Sequence, residues 1–292
     1  MEIPFLKISM SGATGFVGTN LGKRFKSLNW NVTALEKSDF QKGQERIISL
    51  LNDSDLVINL AGAPIISKWT EEYKKVLIDS RVKTTKILVE AMAKMSKKPS
   101  VFISTSAIGI YSDKGTHTED RFVYADDFLG SLARQWEDMA LRALEFDIRT
   151  VIFRFGIVIG PDGGAIQKML PPFKFGLGGT IGDGQQSFSW IHIEDLVNAY
   201  IRAITDKNFS GIYNLVSPSP TTNKGLSEAL SKALKRPAFF KIPEFILKLK
   251  YGEGAEALIK GQHVLPDRLK RAGFEFKFSD INSAIADVIN RS

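Results

Sequence analysis

Phe5-Leu6-Lys7-Ile8-Ser9-Met10-Ser11-Gly12-Ala13-Thr14-Gly15-Phe16-Val17-Gly18 is the stretch on which the fold turns. Phe5 to Met10 is an apolar run that reads as a short strand. Glycines 12, 15 and 18 come next at three-residue spacing, and from Val17 apolar residues recur at helical intervals through Leu21, Phe25 and Leu28. Strand, glycine turn and helix in that order form a phosphate-binding unit. Gly12 permits the tight turn, Gly15 lets the backbone approach a pyrophosphate, and Gly18 lets the helix pack on the strand. The first amides of the helix and its dipole then face the phosphate charge, with Phe16 and Val17 in the loop and a hydroxyl donor on Thr14. The spacing is G-x-x-G-x-x-G, not G-x-G-x-x-G. Turns that bind nothing also produce such glycines, so the residues downstream decide.

Downstream, strands and helices alternate. Asn31 to Glu36 reads as a second strand, and Asp55 to Leu60 as a third, nearly all apolar, as in a parallel strand buried on both faces. Glu71 to Met95 reads as a long helix and Ser100 to Ser106 as a fourth strand. Asp127 to Phe146 is a helix again, and Arg149 to Phe155 a fifth strand. This rhythm predicts an α/β fold with a Rossmann-type doubly wound parallel sheet. After Gly160 the texture changes. Pro161 to Gly164 and Gly176 to Gly184 are glycine-rich and read as irregular. Ile191 to Ile204 is a strand end entering a helix, and Gly211 to Val216 is a strand. Thr222 to Leu234, Glu244 to Lys260, Leu265 to Ala272 and Ile281 to Ile289 read as helices. The expected division is a dinucleotide-binding domain over 1–160 and a smaller α/β substrate-side lobe over 161–292, ending in short helices. Elements after 185 are free to return to the first domain.

Two further stretches bear on the ligand. The second strand ends in Leu35-Glu36-Lys37-Ser38. An acidic residue there takes the ribose hydroxyls of NAD, and a basic one pairs with the 2′-phosphate of NADP. Successive strand residues point in opposite directions, so Glu36 and Lys37 are alternatives. The third strand closes in Asn59-Leu60-Ala61-Gly62-Ala63-Pro64, and Leu60, Ala61 and Gly62 let the backbone lie flat against an adenosine.

Composition narrows the chemistry. The 292 residues contain no cysteine, which removes disulfides and thiolate sites. His117, His192 and His263 are far apart and lack zinc-ligand spacing, so no metal is expected. The net charge is +7, but the lysines are scattered. They read as a solvated surface that also attracts an anionic cofactor, and not as a nucleic-acid stripe. Met1 to Met10 lacks a signal peptide's basic start, and no apolar run approaches the ~20 residues that span a membrane. A cytoplasmic protein without nucleic-acid or membrane partners is expected. The sequence leaves its oligomeric state open.

Together these residues resemble the extended short-chain dehydrogenase/reductase superfamily. The resemblance narrows to an epimerase-like subfamily through Ser106-Ala107-Ile108-Gly109-Ile110-Tyr111, Phe155 to Ala165 and Met169-Leu170-Pro171-Pro172-Phe173. Ser189-Trp190-Ile191-His192-Ile193-Glu194-Asp195-Leu196, Val264 to Leu269 and Ala272-Gly273-Phe274 also carry it. It implies NADP(H) as cofactor with NAD(H) as the alternative, Lys37 on the 2′-phosphate, cofactor contacts from Arg81 and Ile157, and a small-molecule substrate.

The superfamily uses a serine with a Tyr-x-x-x-Lys pair, in which the lysine lowers the tyrosine's pKa for proton transfer. Ser106 matches the serine. The helix Phe128-Leu129-Gly130-Ser131-Leu132-Ala133-Arg134-Gln135-Trp136-Glu137 has no such pair. Three accounts are open: Tyr111 supplies a phenol from another loop, Arg134 reaches the cofactor in place of the lysine, or the protein binds NADP(H) without catalysis, as a sensor or regulator. Superfamily members acting on nucleotide sugars carry a basic residue near Gln185-Gln186-Ser187-Phe188-Ser189-Trp190, and none stands here. Phe188 and Trp190 read as wall of an apolar ligand or as core. His192 reads as a structural histidine or a proton shuttle. Asp162-Gly163-Gly164 reads as a hinge near the nicotinamide.

Overall fold

The computed structural model describes residues 5–291. Residues 1–4, on which part of the signal-peptide reading falls, and residue 292 lie outside the described residues. Six parallel strands form the central sheet: β1 (Lys7–Ser11), β2 (Asn31–Leu35), β3 (Leu56–Asn59), β4 (Val101–Ala107), β5 (Arg149–Phe155) and β6 (Gly211–Leu215). Their order across the sheet is β2-β1-β3-β4-β5-β6. The order reverses between β1 and β3, and in such sheets the crevice at that point, outside the strands' carboxyl ends, is where ligands bind.

The two-residue period of the strands splits their apolar side chains between two cores. Leu56, Ile58, Val101, Ile103, Val151 and Phe153 face one side with Leu21 and Phe25 of α1 (Phe16–Ser27). Val57, Phe102 and Ile152 face the other. Between β2 and β3 lie two helices that the apolar pattern did not suggest, α2 (Lys37–Gln41) and α3 (Gln44–Leu51). They are too short for a 3.6-residue period to stand out, yet α3 buries Ile47 and Leu51 under the second core. Lys37 therefore opens a helix and does not end a strand.

The long helix expected over 71–95 is present with an interruption. It runs as α4 (Glu71–Ile78), a π-helical turn (Asp79–Lys83) and α5 (Thr84–Lys94). Next comes α6 (Phe128–Leu141), capped by Asp127, whose carboxylate accepts the Gly130 amide at 2.9 Å. The region after Gly160 is more regular than its glycines suggested. α7 (Gly164–Lys174) was masked by Pro171 and Pro172 in its last turn. α8 (Ile193–Thr205) sends Leu196 and Tyr200 into the first core, so it and β6 sit with the sheet. α9 (Asn223–Leu234), α7 and the helix Ile281–Arg291 enclose a third core around Trp190, Leu170 and Ile285. α10 (Glu244–Tyr251) buries no residue. The segment after it approaches the loop behind β3 so closely that a Cβ on Gly254 would lie 2.0 Å from the Ser67 carbonyl.

Candidate functional site

The glycine turn sits at the ends of β1 and β3. Gly12 has φ +70, and a Cβ there would lie 2.8 Å from the Leu60 backbone, so only glycine fits. A Cβ on Gly18 would meet the Gly12 carbonyl at 2.3 Å and Ala13 Cα at 2.7 Å. Gly18 therefore packs α1 onto the turn itself, a correction to its expected place against the strand. Gly15 is the N-cap of α1, with extended backbone and no side-chain cap. The Phe16 ring seats against Gly160, Gly163 and Gly164, so the predicted hinge glycines are packed against the turn.

A cavity of about 690 Å³ opens beside this turn. Gly12, Gly15, Phe16, Val17, Gly18, Leu60, Ala61, Gly62, Arg81, Ser106 and Ile157 all line it. Thr14, Glu36, Lys37 and Tyr111 do not. Thr14 is exposed beside the turn. Glu36 is the N-cap of α2: its side chain accepts the Asp39 amide while the Asp39 carboxylate accepts the Glu36 amide at 3.0 Å. That reciprocal cap engages the acid and leaves Lys37 exposed without an ion pair among the described residues.

Arg81 lies in the π-turn, which aims it inward. It is buried, and its Nη2 donates to the Ala63 carbonyl at 2.8 Å. The guanidinium lies 5.4 Å from the Trp136 ring. Among the described residues no carboxylate pairs with it. Burial pushes its pKa down to about 10, which still leaves it charged at neutral pH. A buried cation without a counter-charge at a cavity wall fits an anionic ligand. The glycine cradle and Arg81 together suit a dinucleotide: the turn and the first amides of α1 would hold the pyrophosphate, with Arg81 facing it across the cavity.

Hydrogen bonds fix this geometry from behind. Asn59 accepts the Ser11 hydroxyl at 2.7 Å and donates to Thr85 Oγ1 at 2.8 Å. Thr85 also accepts from Trp136 Nε1 at 2.9 Å and donates to the Arg81 carbonyl at 2.7 Å. Two strands, the π-turn and α6 thus meet at one buried pair of side chains.

A second buried network starts at Ser106. Its hydroxyl donates to Glu137 Oε1 at 2.6 Å. Arg154 grips the same carboxylate with two bonds, Nε to Oε1 at 2.7 Å and Nη2 to Oε2 at 2.6 Å. Burial alone would lower the pKa of Arg154, but Glu137 and Tyr111 raise it above its ordinary value. Arg154 Nη1 donates to the Tyr111 hydroxyl at 2.6 Å, and that hydroxyl donates to Asn214 Oδ1 at 2.6 Å. Tyr111 is fully enclosed, and burial pushes its pKa up to about 12. Its proton is committed and it does not reach the cavity.

Ala133 lines the cavity, and four residues on Glu137 holds Ser106, so these are the side chains α6 turns toward the site. Arg134 points elsewhere, donating to the Ala125 carbonyl at 2.7 Å. His192 is buried outside the cavity. Its Nδ1 accepts the Glu194 amide at 3.3 Å, and Nε2 stands 3.3 Å from Asp287 without hydrogen-bond alignment. Phe188 and Trp190 are core residues. The far half of the cavity is walled by Ile65, Ile66, Trp69, Phe128, Leu129 and Leu132. Its charged residues are Asp127, Glu253, Glu256 and Lys260, of which Lys260 and Glu256 pair at 2.6 Å. Sequence reasoning missed Trp69, Glu137, Arg154 and this late segment.

The fold and the glycine cradle define a dinucleotide-binding protein, and the chain belongs to the NAD dependent epimerase/dehydratase family, whose profile matches residues 8–215. Residues 242–288 match a domain of unknown function, DUF1731. An Arabidopsis thaliana relative, epimerase family protein SDR39U1 homolog, chloroplastic, is 34% identical over 97% of this chain and 87% of its own. An epimerase family protein of Staphylococcus haemolyticus is 35% identical over 96% of this chain and 98% of its own. The crystal structure of human epimerase family protein SDR39U1 with NADPH superposes with a TM-score of 0.90 at 30% identity, covering 98% of this chain and 99% of the human one. UDP-glucuronic acid 4-epimerase from Bacillus cereus shares the fold, with a TM-score of 0.79 at 19% identity over 98% of both chains. Among the described residues no helix is long and apolar enough to cross a membrane.

Proposed function

We propose that this chain is an NADP(H)-dependent oxidoreductase acting on a small, uncharged and largely apolar substrate. The observation that carries the reading is the continuity of one cavity from the glycine turn, past Arg81 and Ser106, to the apolar wall around Trp69. The choice of NADP(H) is supported by Lys37, which makes no ion pair among the described residues while Glu36 is engaged in its cap, and by the NADPH in the human relative's structure. Among the described residues, Arg81 is the only arginine in the cavity lining, and Lys260 is paired with Glu256. Among the described residues the substrate half thus offers no free cation for a sugar nucleotide's diphosphate.

When bound, the cofactor supplies hydride-transfer chemistry. The chain's own residues bind, orient and exclude water. The Ser106 hydroxyl is committed as a donor to Glu137, so it meets a ligand with its lone pairs and accepts a donor from it. Trp136, Leu132 and Leu129 line the cavity with Ser106 and give it apolar walls that would exclude water once a ligand is bound.

A second reading, a non-catalytic NADP(H) sensor, is favoured by Ala133 and Glu137 on α6 and by the enclosure of Tyr111, which leave no phenol–lysine pair at Ser106. One experiment separates the two. Purified protein is titrated with NADPH and NADH by fluorescence, then assayed for NADPH consumption with aldehydes, ketones and quinones. NADPH binding with turnover supports the enzyme, and tight binding with silence across the panel supports the sensor. Equal affinity for NADH overturns the role of Lys37, as does an unchanged NADPH preference in Lys37→Ala.

A further inference from the structure

We propose that the corner of the molecule built by α10 and the strand before it docks on an anionic lipid surface. Eight large apolar side chains are exposed there: Phe175, Leu177, Phe239, Phe240, Ile242, Phe245, Ile246 and Leu249. Strand pairing brings the first five together, and α10, which follows directly in the chain, carries the other three. The strand Phe240–Ile242 pairs with Gly179–Ile181, the Phe240 amide bonds to the Gly178 carbonyl, and the Phe239 and Phe240 rings stack at 5.1 Å. α10 comes directly after, with Leu249 84% and Phe245 68% exposed. Isolated surface apolar residues are ordinary, but a contiguous patch of this kind marks an interaction site.

The geometry of α10 indicates the partner. At about 100° per residue, Phe245, Leu249 and Ile246 share an arc of about 100°, bordered by Lys248 on one side and Lys250 on the other. The half-buried Leu247 and Tyr251 face inward. An outward apolar stripe edged by lysines matches a helix lying in a bilayer interface, with its rings in the acyl boundary and its ammonium groups among phosphates.

Charge supports the same choice. From residue 235 to 250 there are five bases, Lys235, Arg236, Lys241, Lys248 and Lys250, against one acid, Glu244, so 5 − 1 gives +4. None of these five bases makes an ion pair among the described residues. A second copy would bring two such faces together and repel. An anionic lipid surface attracts the bases and takes the apolar stripe at once. The same segment runs on into Glu253, Glu256, Ala257 and Lys260 of the cavity wall, so docking would set an apolar-lined cavity beside a source of lipophilic molecules.

The test is co-sedimentation of the full chain with vesicles of phosphatidylcholine alone, or of phosphatidylcholine with about 30 mol% phosphatidylglycerol. Binding is expected only to the second, and weaker at high salt. Phe245→Asp with Leu249→Asp should abolish it. Lys248→Gln with Lys250→Gln should weaken it about 25-fold, at about fivefold per lysine. Both variants replace exposed side chains, so NADPH affinity should not change, which separates this outcome from the cofactor reading. No sedimentation, or equal sedimentation with neutral vesicles, overturns the proposal. So does light scattering that shows a dimer dissolved by the two aspartates, because the patch would then be covered by a second copy.

Discussion

Glu137→Gln is the substitution that tests the buried network most directly. The change keeps the side chain's shape and removes the charge that neutralises Arg154. The two side chains are 5% and 2% exposed, and three charge-assisted bonds of 2.6 to 2.7 Å converge on the carboxylate. Removing one partner of such a pair strands a buried charge and costs about 3–5 kcal/mol. Unfolding 292 residues at about 2.1 cal/mol/K each releases about 0.6 kcal/mol/K, so Tm should fall by about 5–8 °C. Replacing both partners, Glu137→Leu with Arg154→Met, removes the stranded charge and should recover at least half of that loss, because Tyr111 keeps Asn214 and Ser106 borders the cavity. Thermal and urea unfolding followed by circular dichroism measure both. A shift under about 2 °C for the single variant, or a double variant no better than the single, would refute the reasoning.

Further outcomes are expected. Arg81→Met should weaken NADPH binding about 10- to 150-fold in a fluorescence titration, the value of a lost charge-assisted contact; unchanged affinity would mean that the cofactor does not balance this cation. Tyr111→Phe should cost about 1–3 kcal/mol of stability, because Arg154 and Asn214 each lose a partner, while leaving any turnover found in the panel intact. Collapse of turnover in that variant would return the phenol to the chemistry. Burial holds the His192 pKa below its ordinary value, with Asp287 and Glu194 pulling the other way. The unfolded chain therefore binds a proton that the native one resists, so stability is present above about pH 6.5 and is lost as pH falls below it. Urea midpoints between about pH 7.5 and 5.5 should show that slope, and His192→Gln should flatten it; an equally steep variant assigns the slope to other groups.

The parts of this protein that local pattern controls were legible in its sequence. Parallel strands buried on both faces announce themselves as apolar runs, and Gly12 and Gly18 after a strand end stand where a Cβ would clash with the backbone. The parts that stayed hidden depend on neighbours distant in the chain. α2 and α3 are stabilised by a cap and by two side chains under a core, not by a visible period. The reach of Arg81 comes from a π-turn, which leaves no mark in residue spacing. Tyr111 stood in a motif, but its place is decided by Asn214 and Arg154, 103 and 43 residues away. Glu137 was visible as a letter in α6. Only the register of that helix against β4 shows that it accepts the Ser106 hydroxyl.

The central sheet is not finished when its first five strands are made. β6, its last strand, lies beyond a long excursion through α7 and α8, and it carries the Asn214 that holds Tyr111. At about 5–20 residues per second, a ribosome that has just made Phe155 needs about 3–12 s more to reach Leu215. For that interval the nascent sheet has a bare edge at β5, with Arg154 still short of a partner for its tyrosine. A chain released early, or cut near Gly160, would carry that open edge permanently, and open edges invite pairing with other chains. Production of the protein is therefore expected to depend on finishing the chain promptly, and truncated forms are expected to aggregate instead of folding as a smaller domain.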